Sequence, residues 1–163
     1  MLRIHINEKI QAIGLQLPEA SQPGGNYAPV TIRNGIVYVA IQFPKWNGSL
    51  LYQGILGKDL RTEDGYKAMQ ICALNVLSQI SRLNEVTGDL FLNHLDIVYR
   101  STDQWDDAPK VADGASDLFL NIMGEKGKHT RSVWGVSHLP KNFSVGLTCS
   151  FSISSDYLTI LNQ

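Results

Sequence analysis

Residues 28–43 carry the sequence APVTIRNGIVYVAIQF, in which two β-prone arms flank the pair Asn34-Gly35. An Asn-Gly pair readily adopts the two left-handed backbone conformations that a two-residue hairpin turn requires. The arms 28–33 and 36–43 are therefore predicted to pair as an antiparallel hairpin. The second arm is apolar at nearly every position, which indicates a central, well-buried strand.

Two stretches outside this hairpin have the period of amphipathic helices. Apolar side chains recur at steps of three and four through residues 62–83 and again through 108–123, which predicts two helices with one buried face each. Thr62 and Asp107 are the expected N-caps, because short polar side chains satisfy the free N–H groups of a first turn. A third, shorter helix is expected over 6–14.

Three further stretches have the period of strands. We expect strands near 91–100, 131–137 and 144–153, and in the last one apolar residues alternate strictly with small polar ones. The economical arrangement of these elements is an α+β fold, with a mixed sheet and two helices on one of its faces. The whole chain, 1–163, is expected to be a single domain, with 154–163 as a C-terminal tail.

The composition is that of an ordinary globular protein and excludes several classes of partner. Of 163 residues, 44% are hydrophobic and 18% charged, and the formal net charge is −1. Such a balance gives no long-range attraction to nucleic acid or to a membrane surface. Cys72 and Cys149 fall on apolar faces and are interpreted as buried thiols, which is typical of a reducing compartment. A cytoplasmic location is expected, since the N-terminus lacks a secretory pattern.

Standard catalytic and metal-binding motifs are absent from the sequence. It contains no glycine-rich phosphate loop and no Gly-x-Ser-x-Gly elbow, and its four histidines show no ligand spacing. The histidines are therefore interpreted as surface or structural residues, and neither a metal nor a cofactor is expected.

A pattern spread along the chain is more informative. Residues 130–140 read TRSVWGVSHLP and resemble the signature of the reactive-intermediate deaminase (YjgF/UK114) family, in which Arg-Ser opens a strand and Leu-Pro leads into the last strand. The stretches GNY at 25–27 and GIVYVAIQFP at 35–44 resemble the family's loop tyrosine and its second strand. Four short stretches resemble a longer, L-PSP endoribonuclease-like subgroup: 56–57, 73–75, 109–111 and 114–117. The resemblance covers residues 6–153.

The resemblance implies a chorismate-mutase-like (YjgF) fold and a homotrimer with a barrel-like core and clefts between subunits. In that family an arginine at the position of Arg131 pairs with the carboxylate of a small imine or enamine acid. Water then attacks the imine carbon, which releases ammonia and leaves a 2-oxo acid. Tyr27, Val133 and Asp113 would be further substrate-binding residues, and no cofactor is implied.

The chemistry of arginine agrees with this role. A planar guanidinium matches a carboxylate with two parallel, charge-assisted hydrogen bonds. The alternative for Arg131, taken without the resemblance, is a solvated charge at a strand edge.

Three positions depart from the family pattern. Gly146 stands where the family has a glutamate that positions the attacking water, Ile41 stands where it has a glycine, and Asp113 replaces an asparagine. Loss of the glutamate removes the expected acid–base group. The sequence thus leaves open a weak or specialised imine/enamine deaminase and a non-catalytic trimer that binds small metabolites. A ribonuclease or translation inhibitor is a third hypothesis, which rests on the subgroup's name.

Overall fold

The computed structural model describes residues 2–83 and 88–154 of the chain. Its elements follow the order expected from the sequence, with short 3₁₀ turns at Gly124–Gly127 and Pro140–Asn142. The helices are α1 (Leu2–Ala12), α2 (Thr62–Ile80) and α3 (Ala108–Met123), and the strands are β1 (Val30–Arg33), β2 (Ile36–Gln42), β3 (Lys45–Trp46), β4 (Ser49–Leu50), β5 (Leu90–Tyr99), β6 (Thr130–Gly135) and β7 (Val145–Ile153).

Five of these strands form one mixed sheet in the order β1-β2-β7-β5-β6. The pairs are antiparallel except for β5 and β6, which run parallel. The hairpin turn is confirmed: Asn34 and Gly35 have φ values of 50° and 74°, and Arg33 pairs with Ile36 across it. This is the mixed α+β sheet that the sequence predicts.

Helices α2 and α3 pack together on one face of the sheet and cover the core. The inner side of α3 is buried as predicted, at Val111, Ala115, Leu118 and Ile122. The two helices approach so closely that a Cβ atom on Gly114 would lie 2.1 Å from the backbone oxygen of Tyr66. Only glycine permits this contact, so the spacing of the helix pair depends on that residue.

The other face of the sheet, which we call the helix-free face, carries none of the helices within residues 2–83 and 88–154. Alternation along the strands places the small polar residues of β7 there, together with Tyr38, Phe91 and Trp134. These three aromatic side chains are 51%, 43% and 59% exposed. The prediction of a well-buried second strand is therefore half right, because β2 is central but only its helix-side residues, such as Val37, are covered.

Several local predictions need correction. Arg61, not Thr62, is the N-cap of α2, and Asp64 accepts a hydrogen bond from the Arg61 backbone N–H. The Thr62 hydroxyl instead donates to Asp107 Oδ2 at 2.9 Å and accepts from the Trp105 indole at 3.0 Å. Asp107 is the N-cap of α3, as predicted.

Element bounds also differ at the ends. Helix α1 covers Leu2–Ala12, so it begins earlier than the predicted 6–14, and β6 ends at Gly135. The expected C-terminal tail lies outside the described residues except for Ser154. Among the described helices, none is long and apolar enough to cross a membrane.

Candidate functional site

The candidate site is built around Arg131 on the edge strand β6. Arg131 is in register with the fully buried Leu95 of β5, so its side chain leaves the sheet on the side of the helices. There the guanidinium lies along α3 and donates three hydrogen bonds: Nη1 to Asp113 Oδ1 at 2.7 Å, Nη1 to Ser116 Oγ at 3.0 Å, and Nη2 to the Pro109 carbonyl at 3.3 Å. Its acceptors are spaced four and three residues apart, which places them on one side of α3.

Arg131 is therefore an oriented group and not a freely solvated charge. Its side chain is 26% exposed. An arginine has five N–H donors, and three of them are used here. The Nε–H and one Nη2–H have no partner in the part of the chain that the structure describes. Two donors thus remain for an acceptor that approaches from outside.

Ser116 and His129 form a hydrogen-bonded pair, and Ser116 in turn contacts the guanidinium of Arg131. His129 Nδ1 lies 2.6 Å from the Gly127 carbonyl, and Nε2 lies 2.9 Å from Ser116 Oγ. A carbonyl can only accept, so Nδ1 carries the proton in the neutral ring and Nε2 is the acceptor. The Ser116 hydroxyl then donates to His129, and its oxygen accepts from Arg131. Each of these three hydrogen bonds therefore has a defined donor and a defined acceptor.

Sequence reasoning missed both of these residues. Ser116 lies outside the apolar stripe that predicts the buried side of α3, although it is only 7% exposed, and the sequence predicts only a surface or structural role for His129. One signal was present: Ser116 follows Asp113 at a helical step, and His129 precedes Arg131 by two positions, which puts both within reach of the arginine if α3 covers β6.

Asp113 forms an ion pair with Arg131 and brings a negative charge to it. Its Oδ1 atom is bound to Arg131, its side chain is 47% exposed, and its Oδ2 atom has no hydrogen-bond partner among the described residues. One turn further along α3, Asp117 Oδ2 accepts a hydrogen bond of 2.8 Å from the Tyr66 hydroxyl. That bond, with burial and the charges of Asp117 and Asp113, raises the pKa of Tyr66. Asp117 is thus bonded to Tyr66, and Asp113 is the carboxylate that contacts Arg131.

The remaining predicted site residues are not all at this place. Val133 lies on β6 two positions after Arg131, on the same side of the sheet, and packs against the core. Tyr27 is half exposed, and its hydroxyl accepts a hydrogen bond from the Gly24 N–H at 3.2 Å. It lines a separate cavity of about 310 Å³ with Ile41, Phe43 and Lys141, whereas Arg131 lines a shallow, more open depression beside Ser116 and His129.

Gly146, where the resemblance implies a glutamate in the family, lies on the helix-free face, opposite to Arg131. It pairs with Val98 across the sheet. A Cβ atom at this position would lie 2.9 Å from Ile41 Cδ1 and 3.0 Å from Phe43 Cε1. The two departures noted in the sequence, Gly146 and Ile41, are thus one change in space, because the isoleucine side chain occupies the room above the glycine.

Comparisons with known proteins agree with the fold. Residues 7–152 match the family described as YjgF/chorismate mutase-like, candidate endoribonuclease. Protein TCP17 of Trypanosoma cruzi is 33% identical over 133 residues, which cover 80% of this chain and 83% of that protein.

Two crystal structures are similar along nearly their whole length. A candidate endoribonuclease of Shewanella oneidensis is 33% identical, with a TM-score of 0.87 over 91% of this chain and 99% of that one. A protein of unknown function from Agrobacterium tumefaciens is 29% identical, with a TM-score of 0.84 over 94% of this chain and 95% of that one. The sequence signature, the sheet order and these matches agree, and the chain belongs to the YjgF/chorismate mutase-like family.

Proposed function

We propose that this protein is a homotrimer that binds small carboxylic acids in clefts between its subunits, with Arg131 as the carboxylate-binding residue. The observation that carries the proposal is the state of the guanidinium. It is held by three hydrogen bonds and keeps two N–H donors without a partner among the described residues. A pre-oriented arginine loses little freedom when it binds, which favours a two-bond contact with a carboxylate.

The helix-free face supports the assembly. Tyr38, Phe91 and Trp134 are exposed there on three different strands. Aromatic side chains are enriched at protein–protein interfaces compared with the rest of the surface. The side chain of Arg131 and any side chain at position 146 would lie on opposite faces of the sheet. A site that used both positions would therefore combine residues from two subunits.

Deamination of imino acids is expected to be slow. The family glutamate has no room at Gly146 while Ile41 keeps its position, since the nearest contact of even a Cβ atom would be 2.9 Å. Loss of a general acid–base group costs about 10²–10⁴-fold in rate. The subgroup's ribonuclease name gains no support from the net charge of −1.

Calorimetric titration tests the binding role of Arg131. We expect the wild type to bind short carboxylic acids, and Arg131→Ala to weaken binding about 10–150-fold, because a charge-assisted pair contributes about 1.5–3 kcal/mol. Arg131→Lys should lose much of the affinity as well, since an ammonium cannot make two parallel bonds. Arg82→Ala is the matched control, because Arg82 is an exposed arginine away from the site.

Sedimentation velocity on the same samples checks the assembly. Equal binding by wild type and Arg131→Ala would show that the site lies elsewhere. A wild-type monomer at micromolar concentration would contradict the shared cleft. An Arg131→Ala variant that no longer assembles would make Arg131 a structural residue.

A further inference from the structure

We infer that the ligand at Arg131 is an amino acid, with a protonated amine that Asp113 binds, and not a 2-oxo acid. This inference rests on the proposed function of Arg131 and specifies the class of carboxylate. It follows from the charge that Asp113 adds at the position where the family has an asparagine.

Asp113 has one oxygen to offer to a ligand. Oδ1 is bound to Arg131 Nη1 at 2.7 Å, while Oδ2 has no hydrogen-bond partner among the described residues. The side chain is about half exposed, so a ligand can reach it. An ionised carboxylate only accepts hydrogen bonds, and an ammonium group is a donor that also matches its charge.

The charges around the guanidinium point the same way. The charges of Arg131 and Asp113 cancel within their ion pair, so the pair has no net positive charge to offer to an anion. The nearby lysines do not compensate: Lys110 is paired with Asp107 and Lys128 with Glu125. A 2-oxo acid would therefore add an uncompensated negative charge, whereas a zwitterionic amino acid adds none.

The arrangement therefore separates two tasks. The Nε–H and Nη2–H donors of Arg131 bind the ligand carboxylate, and Asp113 Oδ2 binds the ammonium on the side of Nη1. The ion pair between Arg131 and Asp113 holds both side chains in place. A ligand therefore binds to a positive and a negative group whose separation is fixed. Asparagine at position 113 would keep the hydrogen bond to Arg131 but would lack the charge.

Four acids with four carbons each test the inference: butyrate, 2-oxobutyrate, 2-aminobutyrate and 4-aminobutyrate. Each is titrated calorimetrically into the intact wild type, Asp113→Asn, Asp117→Asn and Arg131→Ala. In the wild type we expect at least one amino acid to bind about tenfold or more tightly than both acids without an amine. Asp113→Asn should abolish that advantage and strengthen the binding of 2-oxobutyrate, because a competing anion is removed.

Asp117→Asn is the matched control, because it removes the same charge one turn away without touching Arg131. It should keep most of the preference. If it abolishes the preference as completely as Asp113→Asn, overall charge and not a contact with Asp113 selects the ligand, and the inference is wrong.

The remaining outcomes separate the two proposals. If 2-oxobutyrate binds the wild type at least as tightly as both amino acids, and Arg131→Ala loses that binding, the carboxylate site stands and the amino-acid inference is overturned. If none of the four acids binds, or if Arg131→Ala binds them unchanged, the proposed function itself fails.

Discussion

A substitution at Gly146 should be partly rescued by shortening Ile41, because the two residues share one space on the helix-free face. A methyl group on Gly146 would lie 2.9 Å from Ile41 Cδ1, 3.0 Å from Phe43 Cε1 and 3.1 Å from Val98 Cγ2. Ile41 Cδ1 must then move and Phe43 and Val98 must shift by a few tenths of an ångström, so we expect a cost of about 1–2 kcal/mol, in the lower part of the range for overpacking. Ile41→Val removes Cδ1, the nearest of the three atoms, and should recover about 1 kcal/mol of the loss.

Thermal unfolding of wild type, Gly146→Ala, Ile41→Val and the double variant measures this coupling. All samples need the same protein concentration, because the midpoint of a protein that assembles depends on it. About 1 kcal/mol corresponds to a shift of roughly 2–4 °C in Tm for a domain of this size. The Tm of the double variant should therefore be higher by that amount than the value obtained by adding the two single-variant shifts to the wild-type Tm. Ile32→Val serves as a control partner for Gly146→Ala, with additive losses. If the Tm shifts of Gly146→Ala and Ile41→Val are additive as well, the two residues do not share one space and the reasoning is refuted.

Two further predictions concern the core. Gly114→Ala should destabilise the protein by about 3 kcal/mol or more, because the new methyl group would collide with backbone and not with a movable side chain. Chemical denaturation measures the loss, and Gly24→Ala is the control because the space around Gly24 is open. Equal losses in the two variants would count against the tight α2–α3 contact. Burial raises the pKa of the Cys72 and Cys149 thiols, so neither should react with a thiol reagent at pH 8 until denaturant is added; rapid labelling of the native protein would show that one of them is accessible.

The sheet and its helices were predictable because their signals are local. The Asn34-Gly35 turn has one favoured geometry, and the strict alternation of β7 fixes which side chains face the helices. The bounds of α3, Ala108–Met123, follow from Asp107 and Gly124 at its ends. In each case the deciding residues lie within a few positions of the feature that they determine.

The features that could not be predicted depend on contacts between distant parts of the chain. Thr62 has the chemistry of an N-cap, yet its hydroxyl bridges Asp107 and Trp105, which only the packing of α3 brings near. In the sequence Ile41 and Gly146 are separate departures from the family pattern, and only the sheet register shows that one fills the space of the other. Ser116 and His129 gain a role because α3 lies over β6.

The position of Arg131 also affects how the molecule avoids unwanted association. Strand β6 is at the edge of the sheet, where unpaired backbone groups could accept a strand from another molecule and begin aggregation. A charged side chain that points inward from an edge strand discourages such pairing, because an added strand would bury apolar side chains beside it. The ion pair with Asp113 fixes Arg131 in that direction. The contact that orients the guanidinium therefore also discourages the addition of a further strand at β6.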